Sequence, residues 1–450
     1  MISTFLQKIK SCIGNRSNLG MVVQNVFWAI IGRIVAIFTT TLVGVFVARY
    51  LGPEDYGIMN FVISYVTIFS TVASFGLDNV EIRELSHQDG NRDQIMGTAW
   101  RLRILFAGIS FLLIAISLLF YRPRWDVGLM ILLYAFSTFF STSVIISNYF
   151  ISIVKNEYVI KPQLVRAVAG TIFKFLLLLL HAPLIWFIFS LLLDAILVCG
   201  GNIVAYRTHV GKLRTWTFDR TLALFLVRQS LPLFLSSVAV VIFSQCNVLM
   251  LKWLADAREI GFFSIAMLWS DFALFIPNVF LQTLTPMLIK AHDQGDAVYR
   301  KKRQEYFDGL TWLSTFFAAC LTLVAPFLVL LLYGREYRAS IGVLMLLAWR
   351  AIGGIGTSAS GQVMIIEKIH QYAVFRNIIG CVVSIGLNLL LIPQYGSYGA
   401  AISTVITVFC AGILCNAFIP RYTELFKLQM RALIFGWRTP IKYCVNYIKS

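Results

Sequence analysis

Charge is what this sequence has least of: only 13% of its 450 residues are Asp, Glu, Lys or Arg, against about 25% in a soluble domain. Hydrophobic residues make up 58% of the chain and the mean hydropathy is +0.78, more apolar surface than a soluble core can hide. Metal chemistry is poorly provided for. There are five histidines and eight cysteines, and none of them stands at metal-ligand spacing. Six of the cysteines, Cys199, Cys246, Cys320, Cys381, Cys410 and Cys415, fall in apolar segments and read as small packing residues; Cys12 and Cys444 lie near the ends. The chain also lacks a glycine-rich phosphate loop, a His/Glu metal motif and a nucleophile elbow. These absences argue against an enzyme and lead us to expect no cofactor or metal. No small-residue cleavage site follows the first apolar run, so that run is expected to be a retained span and not a signal peptide.

What is present is a succession of long uncharged stretches, among them Val127 to Val154, Leu310 to Tyr333 and Asn377 to Pro420. One bilayer crossing needs about 20 apolar residues. Read against proline and glycine breakers, the chain divides into about twelve spans. They lie near 21–48, 57–77, 103–121, 127–151, 163–181 and 183–204, then 226–251, 261–286, 310–332, 341–366, 373–392 and 397–419. The tightest hairpins fall at His181-Ala182-Pro183 and Pro393-Gln394-Tyr395-Gly396. The expected fold class is therefore all-α integral membrane protein.

The net charge of +17 reflects topology, not nucleic-acid binding. With the N-terminus inside, Lys and Arg in inner segments outnumber those in outer loops roughly fourfold, which holds both termini in the cytoplasm. Arg33, Lys174 and Arg350 are sorted into the interior of spans; the other cations, including Arg103, Arg166, Arg228 and Arg376 at span ends, are counted with the adjoining loops and tails.

Two short matches at nearly one offset suggest an internal repeat. Leu51-Gly52-Pro53-Glu54-Asp55-Tyr56-Gly57 is echoed by Leu254 to Gly261, and His87-Gln88-Asp89-Gly90 by His292-Asp293-Gln294-Gly295. The expected organisation is a cytoplasmic N-terminus (1–20), a six-helix lobe (21–204), a cytoplasmic linker (205–225), a second six-helix lobe (226–419) and a basic tail (420–450). An even number of spans per lobe places the pseudo-symmetry axis along the membrane normal, with a central cavity between lobes.

Three places carry a resemblance to a known family: Ala48-Arg49-Tyr50-Leu51-Gly52-Pro53-Glu54-Asp55-Tyr56-Gly57; Phe75-Gly76-Leu77-Asp78-Asn79 with Arg83-Glu84; and Leu391-Ile392-Pro393-Gln394-Tyr395-Gly396-Ser397-Tyr398-Gly399-Ala400-Ala401. In these the chain resembles the polysaccharide or O-antigen flippases of the multidrug/oligosaccharidyl-lipid/polysaccharide exporter superfamily. The resemblance implies a substrate of polyprenyl-diphosphate-linked oligosaccharide repeat units, flipped from the cytoplasmic to the outer leaflet of a bacterial inner membrane. It also implies polysaccharide polymerase and chain-length proteins as pathway partners, alongside the bilayer and the anionic glycan. The motif residues themselves read mainly as architecture: glycine and proline for a tight turn, and small residues for close helix approach.

Charges inside the spans are the candidate functional residues, because each costs about 2.5–3.5 kcal/mol at the bilayer centre and therefore faces a partner or a wet cavity. Arg33, Arg350 and Lys174 are candidates for a cationic substrate cavity, since guanidinium donors match phosphate oxygens. Asp271 and Asp194 are candidates for ion coupling or charge pairing. Lys174 and Asp194 flank one hairpin at depths about 6 Å apart; Asp271 and Arg350 share one depth. Pro277 and Pro286 offer a kink near Asp271. The basic run Arg300-Lys301-Lys302-Arg303 and the tail from Arg421 to Lys449 suit anionic lipid contact. A multidrug exporter of the same superfamily is the alternative; its cationic substrates favour acidic cavities, whereas three basic residues face two acidic ones here.

Overall fold

A computed structural model describes residues 16–87, 91–369 and 373–437. Among the described residues every regular element is helical and none is a strand, as expected where no water is present to satisfy an open sheet edge. In chain order the main helices are α1 (Arg16–Ser74), α2 (Leu77–His87), α3 (Arg92–Tyr121), α4 (Trp125–Ala135), α5 (Val144–Ser152), α6 (Glu157–Leu179), α7 (Leu184–His209) and α8 (Arg220–Leu254). They continue with α9 (Ala257–Asp293), α10 (Asp296–Leu332), α11 (Ser340–Ala348), α12 (Arg350–Ile366), α13 (Ala373–Phe409) and α14 (Thr423–Phe435).

Ten stretches among the described residues are long and apolar enough to cross a membrane, where the sequence reading expects about twelve. The counts differ at two places. The stretch Thr41–His87 covers parts of two expected spans, and Arg376–Phe418 covers two more. Each contains a glycine with non-helical backbone, Gly52 (φ 70°) in α1 and Gly396 (φ 53°) in α13. Positive φ is open to glycine and strained for other residues, so the chain turns there without leaving a loop long enough to divide the helix. The hairpin between α6 and α7 uses His181 at φ 50°, with Pro183 entering α7.

The chain forms two compact units: Met1–Tyr50 with Tyr65–Val238, and Leu51–Ser64 with Ala239–Ser450. In the first unit Leu77, Ile95, Met96, Ile145, Phe150 and Tyr206 are almost fully buried in one apolar cluster. The segment between α7 and α8 packs onto α3, and a side chain at Gly97 would collide with the Thr217 carbonyl. Asp219 then caps α8, its Oδ1 accepting from the backbone N–H of Thr221 and Leu222 at 2.6 and 3.0 Å. In the second unit Phe307, Leu310, Ile355, Tyr422 and Leu425 form the corresponding cluster. Large apolar side chains such as Phe120, Leu323 and Phe418 stand outward, each more than four-fifths exposed, as a bilayer solvent requires.

The repeated motifs meet within the second unit. A side chain at Gly57 would collide with the Ala257 carbonyl, and one at Gly261 with the Pro53 carbonyl. The contact is reciprocal, each glycine facing the position that matches the residue four places before the other, so the two motifs form a local two-fold pair. Glu259, from the second motif, also accepts from the Ser397 N–H at 2.7 Å just after the Gly396 turn. A Cβ on Gly396 would approach that carboxylate to 2.7 Å. The motifs that carry the family resemblance thus build the turns and close helix approaches.

Candidate functional site

Four of the five span charges form two ion pairs. In the first unit Lys174 Nζ on α6 donates to Asp194 Oδ2 on α7 at 2.7 Å, both side chains being mostly buried. Gly170 makes the room, since a side chain there would collide with Asp194 Oδ1, and that oxygen is buried without a partner among the described residues. In the second unit Arg350 opens α12 and donates through Nη2 to Asp271 Oδ1 on α9. Arg350 Nε donates to Ser270 Oγ at 2.7 Å, and the Ser270 hydroxyl in turn donates to the Leu347 carbonyl at 2.8 Å. The pair is lopsided: the Arg350 side chain is 9% exposed and that of Asp271 63%. Helix α9 continues through both Pro277 and Pro286. Arg33 lies in α1, where its side chain falls outside the described residues.

Burial sets the Lys174–Asp194 pair apart from its counterpart. Removing one member of a buried pair leaves an uncompensated charge, costing about 3–5 kcal/mol, whereas replacing both with apolar groups is often neutral. Lys174→Met combined with Asp194→Leu is therefore expected to retain folding better than either single change. Detergent-solubilised yield and melting temperature check this, and loss of transport in a well-folded double variant would mark Lys174 as a substrate contact.

Two further charge clusters were not singled out by the sequence. In the first unit Arg103 on α3 grips both oxygens of Glu81, through Nε at 2.7 Å and Nη2 at 2.8 Å. The same guanidinium reaches Asp78 at 2.7 Å, and Asn148 Nδ2 donates to Glu81 at 2.7 Å. The i, i+3 spacing of Asp78 and Glu81, which puts both on one helix face, was the available signal. In the second unit Arg303, counted in the basic run, turns inward and pairs with Glu367 and Glu424, while Arg300 and Lys301 remain exposed. The lipid-contact reading of that run therefore does not extend to Arg303. Of the basic tail, residues 438–450 lie outside the described residues, as do residues 88–90 of the first repeat match.

The Arg303 clamp holds α14 against α10. Arg303 Nη2 donates to Glu424 Oε2 at 2.9 Å, Trp312 Nε1 to the Ala432 carbonyl at 3.0 Å, and Gln429 Nε2 to the Gly356 and Gly412 carbonyls at 2.9 and 3.1 Å. The Arg303 hydrogen bond and charge hold the Glu424 carboxyl below its ordinary value. A depressed carboxyl stabilises the folded arrangement above the unfolded pKa, near 4.3 for Glu, and loses that contribution as pH falls through the lower folded value. Amide exchange in 423–435 should therefore accelerate on acidification into that range, and Glu424→Gln should remove this pH dependence. The effect is small, because Glu424 is largely exposed.

A second polar cluster joins α8 to α13. Asn388 Nδ2 donates to Asn247 Oδ1 at 2.7 Å, and Asn247 Nδ2 to Thr404 Oγ1 at 3.0 Å. Among the described residues no group of three or more His, Cys, Asp or Glu side chains could hold a metal ion.

Comparison with known proteins places the fold. The chain has 15% identity and a TM-score of 0.65 to the inward-facing conformation of a multidrug resistance MATE family transporter of the MOP superfamily, covering 87% of this chain and 96% of that one. It has 14% identity and a TM-score of 0.63 to the lipid II flippase MurJ in an inward closed conformation, covering 92% of each chain. No curated protein matches the chain. A family model described as polysaccharide biosynthesis protein matches residues 22–292, more than half of the sequence. With apolar helices along most of its length and a fold shared with these transporters, the chain is a multi-pass membrane protein that belongs to the polysaccharide biosynthesis protein family.

Proposed function

We propose that the protein is a flippase carrying polyprenyl-diphosphate-linked oligosaccharide repeat units from the cytoplasmic to the outer leaflet of a bacterial inner membrane, both of its termini being cytoplasmic. The observation that carries this reading is the lopsided Arg350–Asp271 pair. A buried guanidinium held through Nε by Ser270 donates through Nη2 to a carboxylate that is itself mostly exposed. A diphosphate can take the place of such a carboxylate, because its oxygens match the same donors with greater charge. Asp271, once displaced, can return to Arg350 and so expel the diphosphate at the other face.

In this cycle Arg350 binds the headgroup while the lipid tail stays in the bilayer, and access alternates between the two faces. Arg33 and Lys174 are assigned supporting cationic roles in the cavity. Membership of a polysaccharide biosynthesis family and the likeness in fold to a lipid-carrier flippase support the choice of substrate. Energy comes from an ion gradient or from consumption of the product. The polymerase and chain-length proteins that use the flipped unit are its expected neighbours.

The test is deletion of the gene followed by analysis of surface polysaccharide and of lipid-linked repeat units. Loss of the polysaccharide, with accumulation of repeat units facing the cytoplasm, supports the reading. Normal polysaccharide together with increased sensitivity to cationic drugs would move the assignment to a multidrug-type exporter.

A further inference from the structure

Helix α14 follows the last candidate span, which ends at Phe418, and the sequence reading leaves it in the cytoplasmic tail. Its contacts place it deeper. Gln429, almost fully buried, donates to the carbonyls of Gly356 and Gly412. Gly356 stands ten residues before the end of α12, and Gly412 six before Phe418. At 1.5 Å per residue Gln429 therefore lies about 9–15 Å inside those helix ends. Along α10 the contacts advance in the same direction: Arg303 meets Glu424, Gln304 Nε2 donates to the Leu428 carbonyl at 3.4 Å, and Trp312 Nε1 donates to the Ala432 carbonyl. A side chain at Gly436 would press on Trp312 as well. Trp312 belongs to the uncharged stretch that begins at Leu310. Helix α14 thus doubles back after Phe418 and runs beside α10 toward that apolar stretch.

The face of α14 turned away from the unit changes character along its length. Leu425, Gln429 and Ala432 are buried, whereas Glu424, Lys427, Arg431, Ile434 and Phe435 are exposed. Spacings of three and four residues put the exposed ones on one stripe. Its lower end is charged, and its upper end carries Ile434 and Phe435, each more than half exposed. Water disfavours such a pair and hydrocarbon does not. Arg300 on α10 and Lys427 stand near enough to Glu424 to act on its charge, but that carboxylate is already bonded to Arg303. Among the described residues Arg300, Lys427 and Arg431 form no ion pair. Residues 438–450 contain neither Asp nor Glu.

We infer that α14 is a re-entrant helix and that its outer stripe binds an anionic phospholipid of the leaflet on that side. Lys427 and Arg431 donate to the phosphate oxygens, Arg300 adds charge at the foot of the stripe, and an acyl chain lies against Ile434 and Phe435. Side chains on a helix lean toward its N-terminus, so both cations reach back from their own level to the headgroups. Cations without carboxylate partners call for a lipid of net negative charge, since a zwitterionic headgroup brings an ammonium of its own. The site is separate from Arg350 and does not rest on the transport reading.

The experiment measures hydrogen exchange of residues 423–435 in the purified full-length protein, held in nanodiscs of phosphatidylcholine with or without phosphatidylglycerol of the same acyl chains. Phosphatidylglycerol is expected to slow exchange there by about tenfold or more, because each cation at an anionic surface adds to binding. In Lys427→Gln combined with Arg431→Gln that lipid effect should vanish. Lys212→Gln combined with Arg214→Gln, at two exposed cations of the first unit, should leave it intact. Ile434→Gln tests re-entry, because it keeps helix propensity while setting an amide against hydrocarbon. It should speed exchange across α14 in both kinds of disc, whereas a helix lying in water would not respond. Equal exchange with and without phosphatidylglycerol, a lipid effect that survives in the Lys427/Arg431 variant, or no response to Ile434→Gln overturns the inference. Protection that requires two copies in one disc, whatever the lipid, also overturns it and assigns the stripe to a second copy of the chain.

Discussion

Arg350→Ala is expected to slow polysaccharide export sharply while leaving the protein in the membrane. A hydrogen bond to a charged group contributes about 1.5–3 kcal/mol, so loss of the guanidinium should slow substrate movement roughly 10- to 100-fold. Folding should suffer little, because the carboxylate left behind, Asp271, is 63% exposed and not sealed inside the protein. The opposite deletion behaves differently. Asp271→Ala strands a guanidinium that is 9% exposed, and a buried charge without its partner costs about 3–5 kcal/mol. Membrane-inserted protein should therefore fall for Asp271→Ala and stay near wild type for Arg350→Ala, with the export defect reversed in order once corrected for protein amount. Arg350→Lys should recover only part of the activity, because an ammonium lacks the planar fork. Immunoblotting of membranes alongside surface-polysaccharide assays reads both quantities. Wild-type export by Arg350→Ala would remove Arg350 from the mechanism.

The second large effect is expected where the repeated motifs touch. Gly57→Ala puts a methyl group into the Ala257 carbonyl, and Gly261→Ala puts one into the Pro53 carbonyl. The obstacle is backbone in each case, so relief requires the two segments to separate, at about 1–3 kcal/mol for overpacking of this kind. Once one substitution has forced them apart, the second meets less resistance, and the double variant should be less destabilised than the sum of the singles. Gly108→Ala is the control, having open space where its Cβ would stand. Melting temperatures in detergent complete the cycle. Strict additivity would mean that the two contacts are independent and that the local two-fold pairing has no energetic content.

The spans were legible in the sequence because hydropathy is a local property. A run such as Asn377 to Pro420 declares itself as membrane-embedded whatever its neighbours are. The turns at His181-Ala182-Pro183 and at Gly396 were legible for the same reason, since proline and positive-φ glycine act on their own backbone. So were the two hairpin-forming motifs and the family they point to. Even the partners of Lys174 and Arg350 could be anticipated, because depth along a helix follows from residue counts.

The direction of each side chain was not legible. Arg303 sits in a basic run that reads as lipid contact, yet it turns inward to Glu367 and to Glu424, 121 residues away. Arg103 and Arg376 were sorted with the loops by their position at span ends; packing buried both, gave a carboxylate to the first and left Nε of the second without a partner among the described residues. The unequal exposure of Arg350 and Asp271, on which the proposed exchange depends, arises in the same way. The sequence by itself determined which segments enter the membrane and where they turn, because those depend on composition and backbone stereochemistry over a few residues. Only the tertiary structure decided which charges meet, which are shielded and which are left unmatched, because that depends on helices brought together from distant parts of the chain.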